Sequence, residues 1–384
     1  MPLHVAVVSG SRADFGPLQP LIAGIQADER LRLSLIVCAV ADPDEAQRQM
    51  AAVADAGWTI DEAITTGGIA EPLPMTAQAA RALDGVADAL RRRSPDVVVL
   101  LGDRFEILAS AVAAHLLRVP IIHLSGGDET LGSLDDAMRH AISRLASMHL
   151  PTNEESAGRL LALGVPAERI VVVGSTALDA LLAFAPPTRL ELAAMLGAEL
   201  GDRIITVTYH PATQADEPPA SSFRELVAGI RSASSDATIV VTSANADEGG
   251  REIDAVAREI ASTDPMVILV PSLGAERYWA LLHHSDVVVG NSSSALIEAP
   301  VVGVPVVDVG ERQESRLRAA SCIHVAAQRG AVTEGVIEAL QRVRNPEPSP
   351  YGDGLAVTRT LDLLAGIDDP SALLIPSALR PLER

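Results

Sequence analysis

Residues 287–310 read VVVGNSSSALIEAPVVGVPVVDVG, and this stretch decides the fold. A run of valines ends at a glycine, three serines form a turn, an Ala/Leu-containing segment follows, and a second valine run begins. Short apolar runs bounded by turn residues are typical of strands buried on both faces of a parallel sheet. The stretch is therefore predicted to be a strand–helix–strand unit, which indicates an α/β fold.

The same alternation extends through the whole chain. In the first half it predicts strands at 4–9, 34–40, 96–101, 119–123 and 170–173, with helices at 17–27, 44–56, 76–92 and 105–117. In the second half it predicts strands at 204–209, 238–242, 267–270, 286–289 and 304–309, with helices at 221–232, 248–261, 275–284, 294–301, 332–343 and 354–366. Each half is thus predicted to be a doubly wound parallel sheet.

The alternation of strands and helices is interrupted at FAPPTRLELAAMLGAELGD, where two prolines, a predicted helix and a Gly-Asp turn form a linker. We therefore predict a Rossmann-like domain over 1–186 and a second one over 187–353. A Pro/Gly segment precedes residues 354–384, which are expected to form a helix and tail.

Composition limits the possible partners. The formal net charge is −20, from 50 acidic and 30 basic residues. This balance argues against a nucleic-acid or anionic-membrane surface, although an anionic small molecule can still bind at local positive groups. The chain shows no signal peptide, no membrane-spanning run and no metal motif, and Cys38 and Cys322 are far apart, which favours the cytoplasm.

Ligands of such sheets bind beyond the carboxyl ends of the strands, so the residues after each strand are candidates for a binding site. The turn SGSRADFGP places Ser11 and Arg12 after the first strand, and GDRFEI places Asp103 after a later one. A surface arginine and a helix-capping aspartate are the alternatives. In TYHP, His210 directly follows a strand and is a candidate phosphate donor or acid, or else a turn histidine facing solvent.

The segment HLSGGDETLGSLDDAMRH, residues 123–140, holds many charged residues close together in sequence. Carboxylates that lie close together raise one another's pKa, which is one way to make a general acid or base. Asp135 also fits the N-cap of a helix starting near Ala137. We favour function for this cluster, because loops after parallel strands commonly carry chemistry.

The turn Ser292, Ser293 and Ser294 is predicted to bind a diphosphate through its hydroxyls and the N–H groups of the following helix. Glu298, one turn further on, is predicted to accept hydrogen bonds from a ribose. A serine-capped helix without a ligand is the alternative, although capping needs only one serine.

Eight segments occur in one order across residues 5–325: GSRADFGPL, GDRFEILASAVAAHLLRVPIIHL, GGD.T.GSLDDAMRHAISRLASMH, VGS.ALD, TYHP, SANADEGGREI, PSLGAERYWALLHHSDVVVGNSSSALIEAP and GVPVVDVGERQESRLRA. Together they resemble the UDP-N-acetylglucosamine 2-epimerase family, in particular its hydrolysing branch of sialic-acid-type pathways. The resemblance implies a GT-B architecture, with two Rossmann-like domains facing a central cleft and a C-terminal helix crossing back to the N-terminal domain.

The resemblance also implies the site. It implies proton transfer by Asp103 and Asp135 with Asp128 close by, and phosphate contacts from Arg12, His210 and Arg312. The remaining substrate residues that it implies are Ser11, Ser125, Arg139, Asp179, Asn245, the serine turn and Glu298. The ligand would be a nucleotide sugar, with no cofactor, and the protein a homodimer or homotetramer.

One departure from the family pattern concerns the loop after the fourth strand. The family has a glutamate, or in some relatives a histidine, directly before the GG pair, where this chain has Ser125. A serine without a partner is no general base at neutral pH. The glutamate after the pair is shortened to Asp128. Asp128, Glu129, Asp103 and Asp135 are the candidates to replace the missing carboxylate.

The reaction implied by the resemblance is removal of the sugar's C2 proton with loss of UDP, followed by addition of water to release N-acetylmannosamine. Three alternatives remain: a non-hydrolysing epimerase that keeps UDP on the sugar, a GT-B glycosyltransferase, and an impaired nucleotide-sugar-binding relative. UDP or GDP, and the C4 and C6 substituents of the sugar, also remain open.

Overall fold

The computed structural model describes residues 1–10, 12–39, 47, 50–51, 53–54, 57–67, 73–130, 134–211, 218–244, 249–270 and 273–374, with the backbone alone at 12, 13 and 39. The chain divides into two compact units. The first unit comprises Met1–Glu129, Leu134–Ala180 and Tyr351–Arg384, and the second comprises Thr130–Ser133 and Leu181–Pro350.

The first unit is built on six parallel strands in the order β3-β2-β1-β4-β5-β6. All seven residues of β1 are buried, because its side chains alternate between two apolar layers. Val5 and Val7 belong to one layer, and Ala6 and Val8 to the other. The strands are β1 Leu3–Ser9, β2 Leu31–Ala39, β3 Glu62–Thr65, β4 Val97–Leu101, β5 Ile121–Leu124 and β6 Met148–Leu150.

The second unit repeats this topology with the strand order β12-β11-β10-β7-β8-β9. In both units the order reverses beside the first strand, which is the switch point where doubly wound sheets bind ligands. Its strands are β7 Ile204–Thr208, β8 Thr238–Thr242, β9 Val267–Val270, β10 Val287–Gly290, β11 Val306–Val309 and β12 Cys322–Val325.

Helices connect these strands and cover the sheets. Those described are α1 Arg12–Ala27, α2 Met75–Arg93, α3 Phe105–Leu116, α4 Leu134–Leu145, α5 Glu154–Ala162, α6 Thr176–Ala183, α7 Arg189–Leu196, α8 Pro219–Ala233, α9 Gly250–Thr263, α10 Ala275–His284, α11 Ser293–Ile297, α12 Arg329–Gln341 and α13 Ala356–Ala365. Within the described ranges, no helix has the length and apolar character needed to cross a bilayer.

Helix α13 returns to the first unit and packs on α1. A Cβ at Gly24 of α1 would lie 2.6 Å from Leu361 Cδ1, so the glycine allows the two helices to approach closely. The N-terminus of α13 is bound by Asp179, whose Oδ2 and Oδ1 accept hydrogen bonds from the backbone N–H groups of Ala356 (3.2 Å) and Val357 (2.9 Å).

The prediction of two doubly wound parallel sheets is confirmed. The predicted strand at 170–173 is wrong, since only Ile170 forms a single bridge, to His149. The sequence reasoning missed β3, β6 and β12. The helix predicted at 294–301 ends at Ile297, because the chain turns before Pro300, and the helix predicted at 44–56 lies largely outside the described residues.

Candidate functional site

The turn after β10 begins at a glycine that no other residue can replace. Gly290 has φ 145°, and a Cβ there would lie 2.0 Å from the carbonyl oxygen of Thr208 on β7. The next residue, Asn291, donates its backbone N–H to the same carbonyl at 3.1 Å. The close approach of β7 and β10 therefore fixes where the serine turn starts.

Asn291 ties three loops of the second unit together. Its Oδ1 accepts the backbone N–H of His210 at 2.7 Å, and its Nδ2 donates to the His210 carbonyl at 2.8 Å. The Asn291 carbonyl accepts hydrogen bonds from Arg312 Nη1 at 3.0 Å and Gln313 Nε2 at 2.9 Å. Because Asn291 is only 1% exposed, these bonds form one buried network at the carboxyl edge of the sheet.

The serine turn forms its own chain of hydroxyl groups. Ser292 Oγ lies 3.0 Å from Ser294 Oγ, which lies 2.8 Å from the hydroxyl of Tyr278 on α10. Ser293 is the first residue of α11. Ser292 occupies the N-cap position, but its side chain makes no capping bond to the helix backbone. Ser292 therefore does not cap α11 through its side chain, and the hydroxyls of Ser292 and Ser294 are oriented by each other and by Tyr278.

Glu298 directly follows α11 and belongs to the same part of the second unit. Its Oε1 accepts a hydrogen bond from the indole Nε1 of Trp279 at 3.1 Å. Burial raises the pKa of the Glu298 carboxyl to about 7, although the indole bond opposes this rise. Phe184 packs edge-on against Trp279 at 5.7 Å between ring centroids, which holds the indole in place.

His210 is neutral at physiological pH. Burial, aided by the charge of Arg312, lowers the pKa of its imidazole to about 3. A neutral imidazole offers one N–H donor and one acceptor nitrogen. His210 is therefore suited to hydrogen bonding, and Arg312 supplies the positive charge at this position.

In the first unit, Asp103 follows β4 and forms an ion pair with Nη2 of Arg139 from α4. The Arg139 side chain is 6% exposed, so its charge is largely removed from water. A buried guanidinium strongly favours an ionised partner. The structure thus brings together two residues that the sequence analysis had selected from separate segments.

A second carboxyl group at this edge was missed by the sequence reasoning. Glu106, in the first turn of α3, is fully buried beside Arg104, with side-chain N–O distances of 3.3 and 3.4 Å. Burial raises the pKa of Glu106, with a smaller contribution from the charge of Asp135, against the lowering effect of Arg104. The signal was present in GDRFEI, where Arg104 and Glu106 directly follow Asp103.

Arg104 lies in the electrostatic field of several carboxylates. Burial lowers the pKa of its guanidinium, but the charges of Glu106, Asp14 and Asp135 outweigh this and raise it. Asp135 is the second residue of α4 and not its N-cap, because the helix begins at Leu134. The N-cap alternative near Ala137 is therefore wrong, and Asp135 belongs to a group of acidic and basic side chains.

The loop after β5 is shaped by close packing. Ser125 has φ 60°, in the left-handed region, and its N–H donates to the Leu150 carbonyl at 3.0 Å. Asp128 Oδ1 accepts hydrogen bonds from Thr152 Oγ1 at 2.9 Å and Ser156 Oγ at 2.7 Å. One oxygen of Asp128 thus ties the loop to the start of α5.

The other predicted site residues are distributed as follows. The carboxylate of Asp179 binds the N-terminus of α13, as described above. Arg12 is the first residue of α1, with only its backbone described, and Ser11 and Asn245 lie outside the described residues. No group of three or more His, Cys, Asp or Glu side chains in the described ranges could hold a metal ion.

A family profile described as UDP-N-acetylglucosamine 2-epimerase matches residues 24–365. The chain belongs to this epimerase family. It is 31% identical over 381 residues to UDP-N,N'-diacetylbacillosamine 2-epimerase (hydrolyzing) of Legionella pneumophila, covering 96% of this chain and 97% of that protein. It is 30% identical to UDP-N-acetylglucosamine 2-epimerase of Neisseria meningitidis, covering 88% of this chain and 87% of that one.

A solved 2-epimerase structure shares the fold of this family member. The UDP-GlcNAc 2-epimerase from Neisseria meningitidis bound to UDP-GlcNAc matches with a TM-score of 0.81 and 19% identity, covering 94% of this chain and 99% of the other. The resemblance inferred from sequence motifs is therefore confirmed at the level of the family.

Proposed function

We propose that this protein is a hydrolysing 2-epimerase that converts UDP-N-acetylglucosamine, or a close nucleotide amino sugar, into the free 2-epimeric sugar and UDP. The observation that carries the proposal is the match to a hydrolysing relative, 31% identical along nearly the full length of both chains. Because that relative is named for a diacetylated bacillosamine, the C4 and C6 substituents of the substrate are part of the test.

The nucleotide would bind at the second unit. The hydroxyls of Ser292, Ser293 and Ser294 and the guanidinium of Arg312 would stabilise the diphosphate as it leaves, and neutral His210 would donate a hydrogen bond. Glu298, already oriented by Trp279, would accept hydrogen bonds from the ribose.

Proton transfer would be carried out by carboxylates of the first unit. One carboxylate removes the proton from C2 while the C1–O bond to UDP breaks, which leaves a 2-acetamidoglucal. Water then adds its oxygen to C1, and a proton returns to the opposite face of C2. We assign these proton transfers to Asp103 and Asp135, since Asp103 pairs with the buried Arg139 and Asp128 is engaged by two hydroxyls.

The proposal is tested by incubating the protein in deuterated water with UDP-N-acetylglucosamine and, separately, with UDP-N,N'-diacetylbacillosamine. We expect UDP release and one deuterium at C2 of a free 2-epimeric sugar. Asp103→Asn should lower kcat by about 10²- to 10⁴-fold. Asp88→Asn, at an exposed site on α2, should leave kcat unchanged.

Two results would contradict the proposal in different ways. A deuterated product that still carries UDP would indicate the non-hydrolysing reaction. No turnover of either sugar, together with no calorimetric binding of UDP or GDP, would exclude a nucleotide-sugar epimerase.

A further inference from the structure

A buried charged cluster lies next to the candidate nucleotide site but is not part of it. Asp308 on β11 is 1% exposed. In the sheet it pairs with Gly290 of β10 on one side and His324 of β12 on the other. Its Oδ2 accepts hydrogen bonds from Arg318 Nε at 3.0 Å and Arg318 Nη2 at 2.7 Å, and lies 3.0 Å from His324 Nδ1.

The Arg318 guanidinium also binds the backbone of the loop after β11. Its Nη2 donates to the Gln313 carbonyl at 3.0 Å, and its Nη1 donates to the Glu314 carbonyl at 3.2 Å. A planar guanidinium can serve a carboxylate and two carbonyls at once because its donors point in several fixed directions. Arg318 therefore attaches the loop to the strand that carries Asp308.

The same loop supports the nucleotide site through Gln313. Its side chain is 1% exposed and donates to the Asn291 carbonyl, as does Arg312. Asn291 in turn fixes the backbone of His210 and begins the serine turn. A continuous set of hydrogen bonds thus runs from Asp308 through Arg318 and Gln313 to Asn291.

We propose that the Asp308–Arg318 ion pair, with His324 as the second partner of the carboxylate, positions the nucleotide site by shaping the loop after β11. Arg318 is a positioning residue, since it acts on the site through Gln313 and Asn291. The inference rests on the proposed function, because the ion pair is inferred to position the serine turn that is proposed to bind a diphosphate.

The test compares two Arg→Lys variants of the second unit. Arg318→Lys keeps the positive charge beside Asp308 but loses the planar guanidinium, whose additional N–H donors also bind the loop carbonyls. Arg231→Lys is the matched control, because Arg231 pairs with Asp264 at 2.7 Å at the opposite, amino edge of the sheet, where Asp264 precedes β9.

We expect Arg318→Lys to weaken UDP binding, measured by calorimetry, about 5- to 20-fold, which corresponds to the loss of one or two buried hydrogen bonds. The KM for the nucleotide sugar should rise similarly, with kcat changing less than about threefold, since no reacting group is removed. Arg231→Lys should leave UDP affinity within about twofold of wild type. A purely structural ion pair would lower the melting temperature of both variants and leave KM unchanged.

A second pair of variants tests the same idea at the partly exposed His324. His324→Asn keeps a donor near the Nδ1 position and should bind UDP as wild type does, whereas His324→Phe should weaken binding about threefold. If wild type binds UDP and Arg318→Lys and His324→Phe bind it equally well, the inference is wrong. If wild type binds no UDP, the proposed function fails, and this inference fails with it.

Discussion

At the scale of single residues, Glu298 has a carboxyl group whose pKa is shifted toward neutral pH. Burial raises the pKa of its carboxyl from 4.5 to about 7. Between these values the folded protein holds a proton that the unfolded chain has lost. Stability from this group is therefore fully present below about pH 4.5 and is lost as pH rises to about 7.

Glu298→Gln should remove this pH dependence, because glutamine carries no charge. Between pH 5 and pH 8 we expect wild type to lose about 1–3 kcal/mol of stability relative to the variant. The measurement is the melting temperature at both pH values, where about 2–4 °C corresponds to 1 kcal/mol in a domain of this size. The exposed Glu334 of α12 provides the control Glu334→Gln, which should follow wild type.

A Glu298→Gln variant that keeps the wild-type loss of stability would show that another group titrates. Tyr278, the neighbour of Glu298, is not that group, because burial and the charge of Glu298 raise the pKa of its hydroxyl above its usual value.

At the scale of elements, the sequence predicted the strands whose residues are buried on both faces. All five residues of β7 are buried, and its valine and isoleucine pattern predicted it to within one residue. The strands that it missed are three or four residues long. No side chain of β12, Cys322–Val325, is fully buried. An edge strand of this kind needs no continuous apolar run, so its sequence does not distinguish it from a loop.

The site was predictable only where side chains follow a strand directly. Asp103, His210 and the serine turn do so, and each lies at a carboxyl edge in the structure. Glu106 and Gln313 lie inside the following helical turns, and their importance comes from burial beside Arg104 and Asn291. Such partners arise from contacts between distant segments, which one sequence does not reveal.

The cap of α13 gives a prediction about an element and separates two roles for Asp179. Because its carboxylate binds two N–H groups at the helix start, Asp179→Ala should lower the stability of the first unit by about 1–2 kcal/mol. UDP affinity should stay within about twofold of wild type. Calorimetric unfolding and UDP titration of the same sample measure both.

The control for this prediction is Asp368→Ala, an exposed aspartate just beyond α13, which should change neither quantity. A large loss of UDP affinity in Asp179→Ala without a loss of stability would support the nucleotide role that the family resemblance implied for this residue.

At the scale of the whole molecule, both units contain histidines that are buried in the neutral form. In the first unit, burial lowers the pKa of His123 to about 4 and, with the charges of His123, Arg144 and Arg169, that of His149 to about 3. In the second unit, the pKa of His210 is about 3. The fully buried His123 lies between the Gly102 carbonyl at 2.9 Å and Ser143 Oγ at 3.2 Å.

These histidines predict that the first unit loses stability in mild acid. The unfolded chain binds a proton at each imidazole near pH 6.5, whereas the folded protein does not until pH 3–4, so stability falls as pH drops through this range. At pH 5 each histidine should cost about 1–2 kcal/mol relative to pH 7. In the second unit the opposite contribution of Glu298 offsets that of His210, so the prediction concerns the first unit. His123→Asn should therefore flatten the dependence of the first unit's melting temperature on pH, even if looser packing lowers the melting temperature at pH 7.

The control is His115→Asn at an exposed position, which should keep the wild-type dependence of melting temperature on pH. If His123→Asn also keeps that dependence, the His123 imidazole is protonated in the folded state.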